Sequence, residues 1–374
     1  MNKFKILITG MSPALAGTET FIMTYYRNLD PQKFQVDFIV RTKDKIVFQE
    51  EILERGSKIY YLPRKREDYN EYKKSLKDFF VQYGKDYDAI WYNAMGIPNI
   101  DILEKAKSYG IKTRIIHSHS SSWKGNLPSR IFHEWNRLKL KNVATHYFAC
   151  SDLAAKYMFE PKILSQSTII QNAITIENFS YSEIARNQLR QELGWEDCKI
   201  IGNIGRYDIQ KNQPFLIDVF NEALKQNNKL RLIIIGAEVG TNSTIKQIEE
   251  KIEQYGIRDK VLLPGTQYDI KKWLSAMDLF ILPSLFEGLP LSAVEAQANG
   301  LPIVVSDTIT KELDILGKAA YLSLESPISK WVEAIESSLR QSRTSDTEVK
   351  QIFKEKGFDI KSQVKEIENI LLGE

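Results

Sequence analysis

Short runs of β-branched and aromatic residues alternate with longer segments of helical periodicity from one end of this chain to the other. Strands are expected in the first half at Lys5–Thr9, Val36–Val40, Lys58–Leu62, Ala89–Asn93, Thr113–Ser118, His146–Cys150 and Thr168–Gln171. In the second half they are expected at Ile200–Ile204, Leu230–Ile235, Val261–Leu263, Leu279–Leu282 and Ile303–Val305. Several read as unbroken apolar runs, such as Leu232–Ile235, which is how a parallel strand covered on both faces looks. Amphipathic segments lie between them. Thr18–Leu29 follows Gly17, and Ser243–Gln254 has Ser243 as its expected cap and Gly256 as its stop. Such alternation implies doubly wound α/β domains with parallel sheets, whose ligands sit at the carboxyl ends of the strands. With 374 residues the chain has room for two cores. The polar stretch Glu177–Glu183 separates the two series and places the boundary at 178/179.

The N-terminus imitates a secretory signal, with Lys3 and Lys5, an apolar run and then Ala14-Leu15-Ala16. Ile6–Met11 is too short for a signal core and contains Thr9 and Gly10, so a first strand is the reading preferred. No stretch approaches the ~18 apolar residues of a spanning helix. Two cysteines, Cys150 and Cys198, exclude a disulfide framework and fit a reducing compartment. Charge is unevenly spread. Residues 1–180 hold 27 Lys and Arg against 19 Asp and Glu, leaving 24 against 29 for the rest. A basic first half suits a polyanionic partner or a membrane surface, or is simply a solvated face.

The strongest motif runs from Leu282 to Ala296: Leu-Pro-Ser-Leu-Phe-Glu-Gly-Leu-Pro-Leu-Ser-Ala-Val-Glu-Ala. A strand ends at Leu282, a loop carries Glu287 and Gly288, and Pro290 stands where a helix begins. Backbone N–H groups at that helix start, around Leu289, make an anion site suited to a diphosphate. Gly288 lets backbone approach it closely, Glu287 stands at its mouth, and Glu295 is placed to reach a ribose hydroxyl pair. Two glutamates seven residues apart within P-S-x-x-E-G-x-P, followed by Gly300-Leu301-Pro302-Ile303-Val304-Val305-Ser306, resemble the signature of the retaining glycosyltransferases of family 4, which have the GT-B fold.

That resemblance implies two Rossmann-like domains facing across a cleft: 1–178 for the acceptor, 179–359 for a nucleotide-sugar, and a helix at about 360–374 returning to the first. It covers nearly the whole chain and is nearest to bacterial capsule and exopolysaccharide transferases, through Phe148-Ala149-Cys150-Ser151 and Gln171-Asn172-Ala173-Ile174. In Gly205-Arg206-Tyr207-Asp208-Ile209-Gln210-Lys211-Asn212 it implies that Arg206 and Lys211 bind the donor diphosphate and stabilise the departing nucleotide without metal. Gly17 is the one glycine present where the family usually has two; it is the expected approach to the diphosphate from the first domain. His119 corresponds to a family histidine facing the transferred sugar, and Asn172 to an interdomain asparagine. In Leu263-Pro264-Gly265-Thr266, Thr266 lies at a strand end that could offer backbone contacts to the base.

His117 and His119 share one face of a strand, so a two-histidine metal pair is conceivable, yet no acidic residue or cysteine is near in sequence. Asp86-Tyr87-Asp88 imitates the D-x-D of metal-dependent transferases but precedes its strand, the wrong end for a ligand, and reads as a turn. Segment Trp123–Val143 is basic and aromatic. It either lies on anionic lipid or a pyrophosphate-linked acceptor, or packs Trp135 into its own domain. Arg64-Lys65-Arg66 carries the same ambiguity. The resulting expectation is a cytoplasmic, metal-independent, retaining hexosyltransferase. It needs no cofactor, since the donor (UDP-sugar by family frequency) is a substrate. Its acceptor is a polyprenyl-diphosphate-linked glycan, with peripheral contact at the inner membrane surface and no nucleic-acid partner. The rivals are a sugar-nucleotide epimerase of the same architecture, a glycoside phosphorylase, and a non-catalytic partner subunit.

Overall fold

A computed structural model describes residues 3–14, 17–120, 126–238 and 243–373. The chain divides into two compact units, Met1–Ala173 with Ile360–Glu374, and Ile174–Asp359.

In the first unit the strands are β1 (Phe4–Thr9), β2 (Phe34–Val40), β3 (Ile59–Tyr61), β4 (Ala89–Ala94), β5 (Thr113–Ser118), β6 (His146–Ala149) and β7 (Thr168–Ile169). They form one parallel sheet in the order β3-β2-β1-β4-β5-β6-β7. Successive side chains of β4 point to opposite faces, so Ile90 and Tyr92 enter one apolar core and Ala89 and Trp91 the other. Helices cover both faces, as a buried parallel sheet requires. The helix Ile360–Leu372 belongs to this unit: Ile360, Val364, Ile367 and Leu371 fall at helical spacing and join the core of Ile6, Ile8 and Phe21. Tyr25 Oη donates to Gln363 Oε1 at 2.7 Å, and Glu368 accepts from the Asp30 N–H at 2.8 Å.

In the second unit the strands are β8 (Lys199–Ile204), β9 (Leu230–Ile235), β10 (Val261–Leu262), β11 (Leu279–Leu282), β12 (Ile303–Ser306) and β13 (Ala319–Leu322), parallel in the order β10-β9-β8-β11-β12-β13. In both sheets the order reverses beside the first strand, at β1/β4 and at β8/β11. These are the switch points where loops diverge and leave room for a ligand. The polar stretch Glu177–Glu183 lies inside this unit, because Ile176 and Phe179 pack into its core.

Two local expectations need correction. The helix expected from Ser243 begins at Ile245, and Ser243 Oγ accepts from the Ile245 N–H at 3.3 Å. Strand β13 was not expected, since Ala319-Ala320 carries no β-branched signal and all four residues are only half-buried at the sheet edge. Gly256 does end its helix, with φ at +64°. Among the described residues no helix is long and apolar enough to cross a membrane.

Candidate functional site

Three glycines follow the ends of adjacent strands in the second unit: Gly205 after β8, Gly236 after β9 and Gly265 after β10. The Gly205 N–H donates to the Ile235 carbonyl at 2.9 Å, and the Gly236 N–H to the Gly265 carbonyl at 3.1 Å. A Cβ on Gly236 would stand 2.0 Å from the Gly205 carbonyl oxygen, so only glycine permits this approach. A Cβ on Gly205 would stand 3.0 Å from Lys211 Cε; the bare glycine is the floor over which the lysine stem lies.

Lys211 ends a single 3-10 turn, Ile209–Lys211, capped by Asp208, whose Oδ1 accepts from the Lys211 N–H at 3.0 Å. The same Asp208 holds Arg206, at 3.1 Å. Beyond the turn, Asn212 takes a left-handed conformation (φ +54°), and its amide donates to the Pro283 carbonyl at 3.2 Å. Buried Gln213 donates to the Arg206 carbonyl at 2.8 Å. The Leu285 N–H donates to the Gln210 carbonyl at 2.8 Å, and Gln210 Nε2 to the Phe286 carbonyl at 3.0 Å. The two motifs are thus stitched together across the β8/β11 switch point.

At the centre Lys211 Nζ lies 2.5 Å from Glu287 Oε1, with side chains only 13% and 10% exposed. Ser284 Oγ also donates to that oxygen, at 3.2 Å. The Ser284 carbonyl is in turn fixed by Ser306 and Thr308 hydroxyls at 2.6 and 2.9 Å. Pro290 caps the helix Leu291–Ala298. Among the described residues the N–H groups of Gly288, Leu289, Leu291 and Ser292 have no backbone acceptor outside that helix, so this helix start presents a row of unsatisfied donors. Gly288 has neither a positive φ nor a neighbour within 4 Å of an added Cβ, so nothing in the protein itself demands glycine there. Glu295, on the second turn, is partly buried, and its carboxyl has no hydrogen-bond or ion-pair partner among the described residues. Burial holds its carboxyl up at about 7.

The structure brings Lys211, Glu287 and Gly205 together. It holds Arg206 apart from that pair, on Asp208 and half-exposed, and it leaves Thr266 exposed at the end of β10. Asp208, Ser284 and Gly236 were not singled out from the sequence. Asp208 was recoverable, since an aspartate three residues before a turn end is a cap signal.

In the first unit, at the ends of β4 and β5, His119 Nε2 and Asn93 Oδ1 are 2.7 Å apart, and Asn93 Nδ2 donates to the Thr9 carbonyl at 3.0 Å. Gly10 (φ +113°) packs on Asn93, where a Cβ would be 2.7 Å from Asn93 Cβ. The rings of His117 and His119 do share a face, stacked 4.3 Å apart. Burial pushes both down, His119 to about 3, so both rings are neutral at pH 7. His117 accepts from Trp91 Nε1 at 3.3 Å within the core. Among the described residues no group of three His, Cys, Asp or Glu is placed to hold a metal ion. Gly17 opens the helix Gly17–Asn28 with open space around it. Ala16 before it, like Trp123 to Gly125 before the basic helix, lies outside the described residues. Asn172 Oδ1 is buried with no hydrogen-bond partner among the described residues.

The other sequence candidates resolve into structure. Asp88 accepts from the Lys5 N–H at 2.8 Å and Tyr87 donates to Asp37, so Asp86-Tyr87-Asp88 is a turn at the amino end of the sheet. Arg64 pairs with Asp44 and Glu67, and Lys65 with Asp101. Trp135 does not pack into its domain; it is 55% exposed.

Two doubly wound parallel units of this topology have the GT-B fold. The chain belongs to the family described as glycosyl transferases group 1, which it matches over residues 185–358. It is 30% identical over 372 residues, 97% of this chain and 94% of the other, to EpsF of Bacillus subtilis (strain 168). It is 22% identical over 320 residues, 82% of this chain and 80% of the other, to an Escherichia coli protein named UDP-Gal:alpha-D-GlcNAc-diphosphoundecaprenol alpha-1,3-galactosyltransferase. Among solved structures, HepE of Anabaena in complex with UDP superposes with a TM-score of 0.77 over the whole of both chains at 16% identity, a likeness of fold.

Proposed function

We propose that this enzyme moves a sugar from a nucleotide-diphosphate donor, with UDP as the nucleotide, to a lipid-linked glycan in exopolysaccharide synthesis, retaining the anomeric configuration. The observation that carries the reading is the Lys211–Glu287 pair set over Gly205 beside the unsatisfied N–H groups of the helix start. As the glycosidic bond breaks, negative charge grows on the leaving diphosphate. Lys211, Arg206 and the N–H groups from Gly288 to Ser292 supply fixed positive charge to it, so a metal is not required. Glu287 orients sugar hydroxyls while keeping Lys211 in place, and Glu295 accepts from the ribose hydroxyls. Thr266 and its loop border the base. The first-unit residues assigned to contact with the donor's sugar are Gly17, Asn172 and the neutral His119. The acceptor hydroxyl attacks from the side the nucleotide leaves, passing its proton to the departing phosphate, through an oxocarbenium-like transition state.

The galactosyltransferase relative supports the acceptor class by its name, which specifies a diphosphoundecaprenol-linked sugar, and HepE supports the nucleotide by its bound UDP. A lipid-borne acceptor places the enzyme at the cytoplasmic membrane face as a peripheral protein.

The test is a thermal-shift screen against nucleotide sugars, followed by transfer assays with Lys211→Ala. UDP-sugars are expected to raise the melting temperature. Lys211→Ala is expected to lower kcat by about 100- to 1000-fold, the usual effect of losing one preorganised charge-stabilising donor. A near wild-type rate would remove Lys211 from the mechanism. Release of an epimeric sugar product without acceptor, rather than simple hydrolysis, would favour an epimerase instead.

A further inference from the structure

The helix Leu127–Val143 is amphipathic in the reverse sense. Its inward face carries His133, Asn136, Leu140 and Val143. His133 Nδ1 accepts from the Ile97 N–H at 3.0 Å, and Asn136 Nδ2 donates to the Ile97 carbonyl at 2.8 Å. The outward face carries Leu127, Ile131, Trp135 and Leu138, one helical stripe, with Ile131, Trp135 and Leu138 exposed by 61%, 55% and 52%. A surface helix ordinarily turns such residues inward. Here polar groups anchor the helix to its unit and the apolar stripe is left to solvent.

Charge identifies what covers it. The helix holds four cations (Arg130, Arg137, Lys139 and Lys141) against one acid, Glu134, which Arg137 occupies at 2.7 Å. Arg130 and Lys141 are exposed beside the stripe, while Lys139 lies over the Trp135 ring at 4.4 Å and pairs with Glu104 at 3.5 Å. A two-fold pairing of identical helices would set these cations against their own copies. An anionic bilayer neutralises them while taking up the stripe, with tryptophan at headgroup level and the long basic side chains reaching to phosphate. At about 1.5 Å per residue the helix is too short, and its inner face too polar, to span.

We propose that Leu127–Val143 is an in-plane membrane-docking helix that lies in the headgroup region of an anionic lipid surface. This rests on the proposed function only for the expectation of a lipid-borne acceptor. Lipid binding is measured without donor or acceptor, so it can fail or succeed independently of transfer.

The full chain is sedimented with vesicles of phosphatidylcholine alone and of phosphatidylcholine with phosphatidylglycerol. Binding to the anionic vesicles is expected to be at least about tenfold tighter, and to weaken with salt. Arg130→Gln with Lys141→Gln is expected to cost about 25-fold, from about fivefold per charge. Ile131→Ser with Trp135→Ser is expected to cost at least about tenfold through lost insertion. Both variants should keep the wild-type melting temperature and UDP-sugar hydrolysis rate. Absent vesicle binding, equal binding to neutral and anionic vesicles, or variants that bind as wild type would overturn the proposal. So would a dimer seen by light scattering that the Ile131→Ser/Trp135→Ser variant dissolves.

Discussion

At the scale of single residues, Lys211 and Glu287 are each held for the other. Removing either cation or carboxylate alone strands a mostly buried charge, at a cost of about 3–5 kcal/mol, whereas neutralising both costs less. In a double-mutant cycle read by urea unfolding, Lys211→Met with Glu287→Gln should be more stable than either single variant, while all three lose turnover. Glu295 is a different case, a carboxyl raised from 4.5 to about 7 by burial without a cation to offset it. The folded state therefore holds a proton that the unfolded state has released between those values, so stability falls as pH rises from about 4.5 through 7. The loss is on the order of 3 kcal/mol. Glu295→Gln should flatten this slope, raise the melting temperature at pH 8, and weaken UDP-sugar binding. His119, lowered to about 3, contributes stability that is complete above 6.5 and is lost progressively as pH falls from about 6.5 to about 3. It should add no inflection near pH 6.5 to the kcat/KM profile.

At the scale of elements, the glycine ends of β8 and β9 set the tolerance of the site. Gly236→Ala should destabilise by about 1–3 kcal/mol because its Cβ meets backbone, which cannot yield. Gly205→Ala meets only the flexible lysine stem, and should spare stability while lowering kcat. Thermal melts and steady-state kinetics separate the two. Central strands were legible in the sequence because burial on both faces imposes β-branched runs: Thr113–Ser118, Leu230–Ile235 and Leu279–Leu282 have the bounds expected. The edge strand Ala319–Leu322 is relieved of that requirement and was invisible. Glu287 and Lys211 were each visible as motif residues, but their pairing spans 76 positions and depends on β8 lying beside β11, which no local signal encodes. The helix Leu127–Val143 shows the same limit: its periodicity was evident, and which face turns outward was not, because the inward anchors are His133 and Asn136.

At the scale of the molecule, the chain leaves its first unit after Ala173 and returns at Ile360. On the side of the second unit the two connections are neighbours: Ile174 pairs with Asp359, and its N–H donates to the Phe358 carbonyl at 3.0 Å. Tyr25 also ties the two stretches of the first unit together, donating to Gln171 as well as to Gln363. Tyr25→Phe should loosen Ile360–Leu372 by about 1–2 kcal/mol, read as faster amide exchange in that helix alone. The second unit is therefore topologically a guest, inserted into its host with its own beginning and end side by side. Such a segment can be lifted out as one continuous polypeptide, Ile174–Asp359, or have its order of synthesis rearranged by joining its ends and opening a surface loop. Expressed by itself it should still melt cooperatively and still be stabilised by UDP, while having lost every trace of sugar transfer.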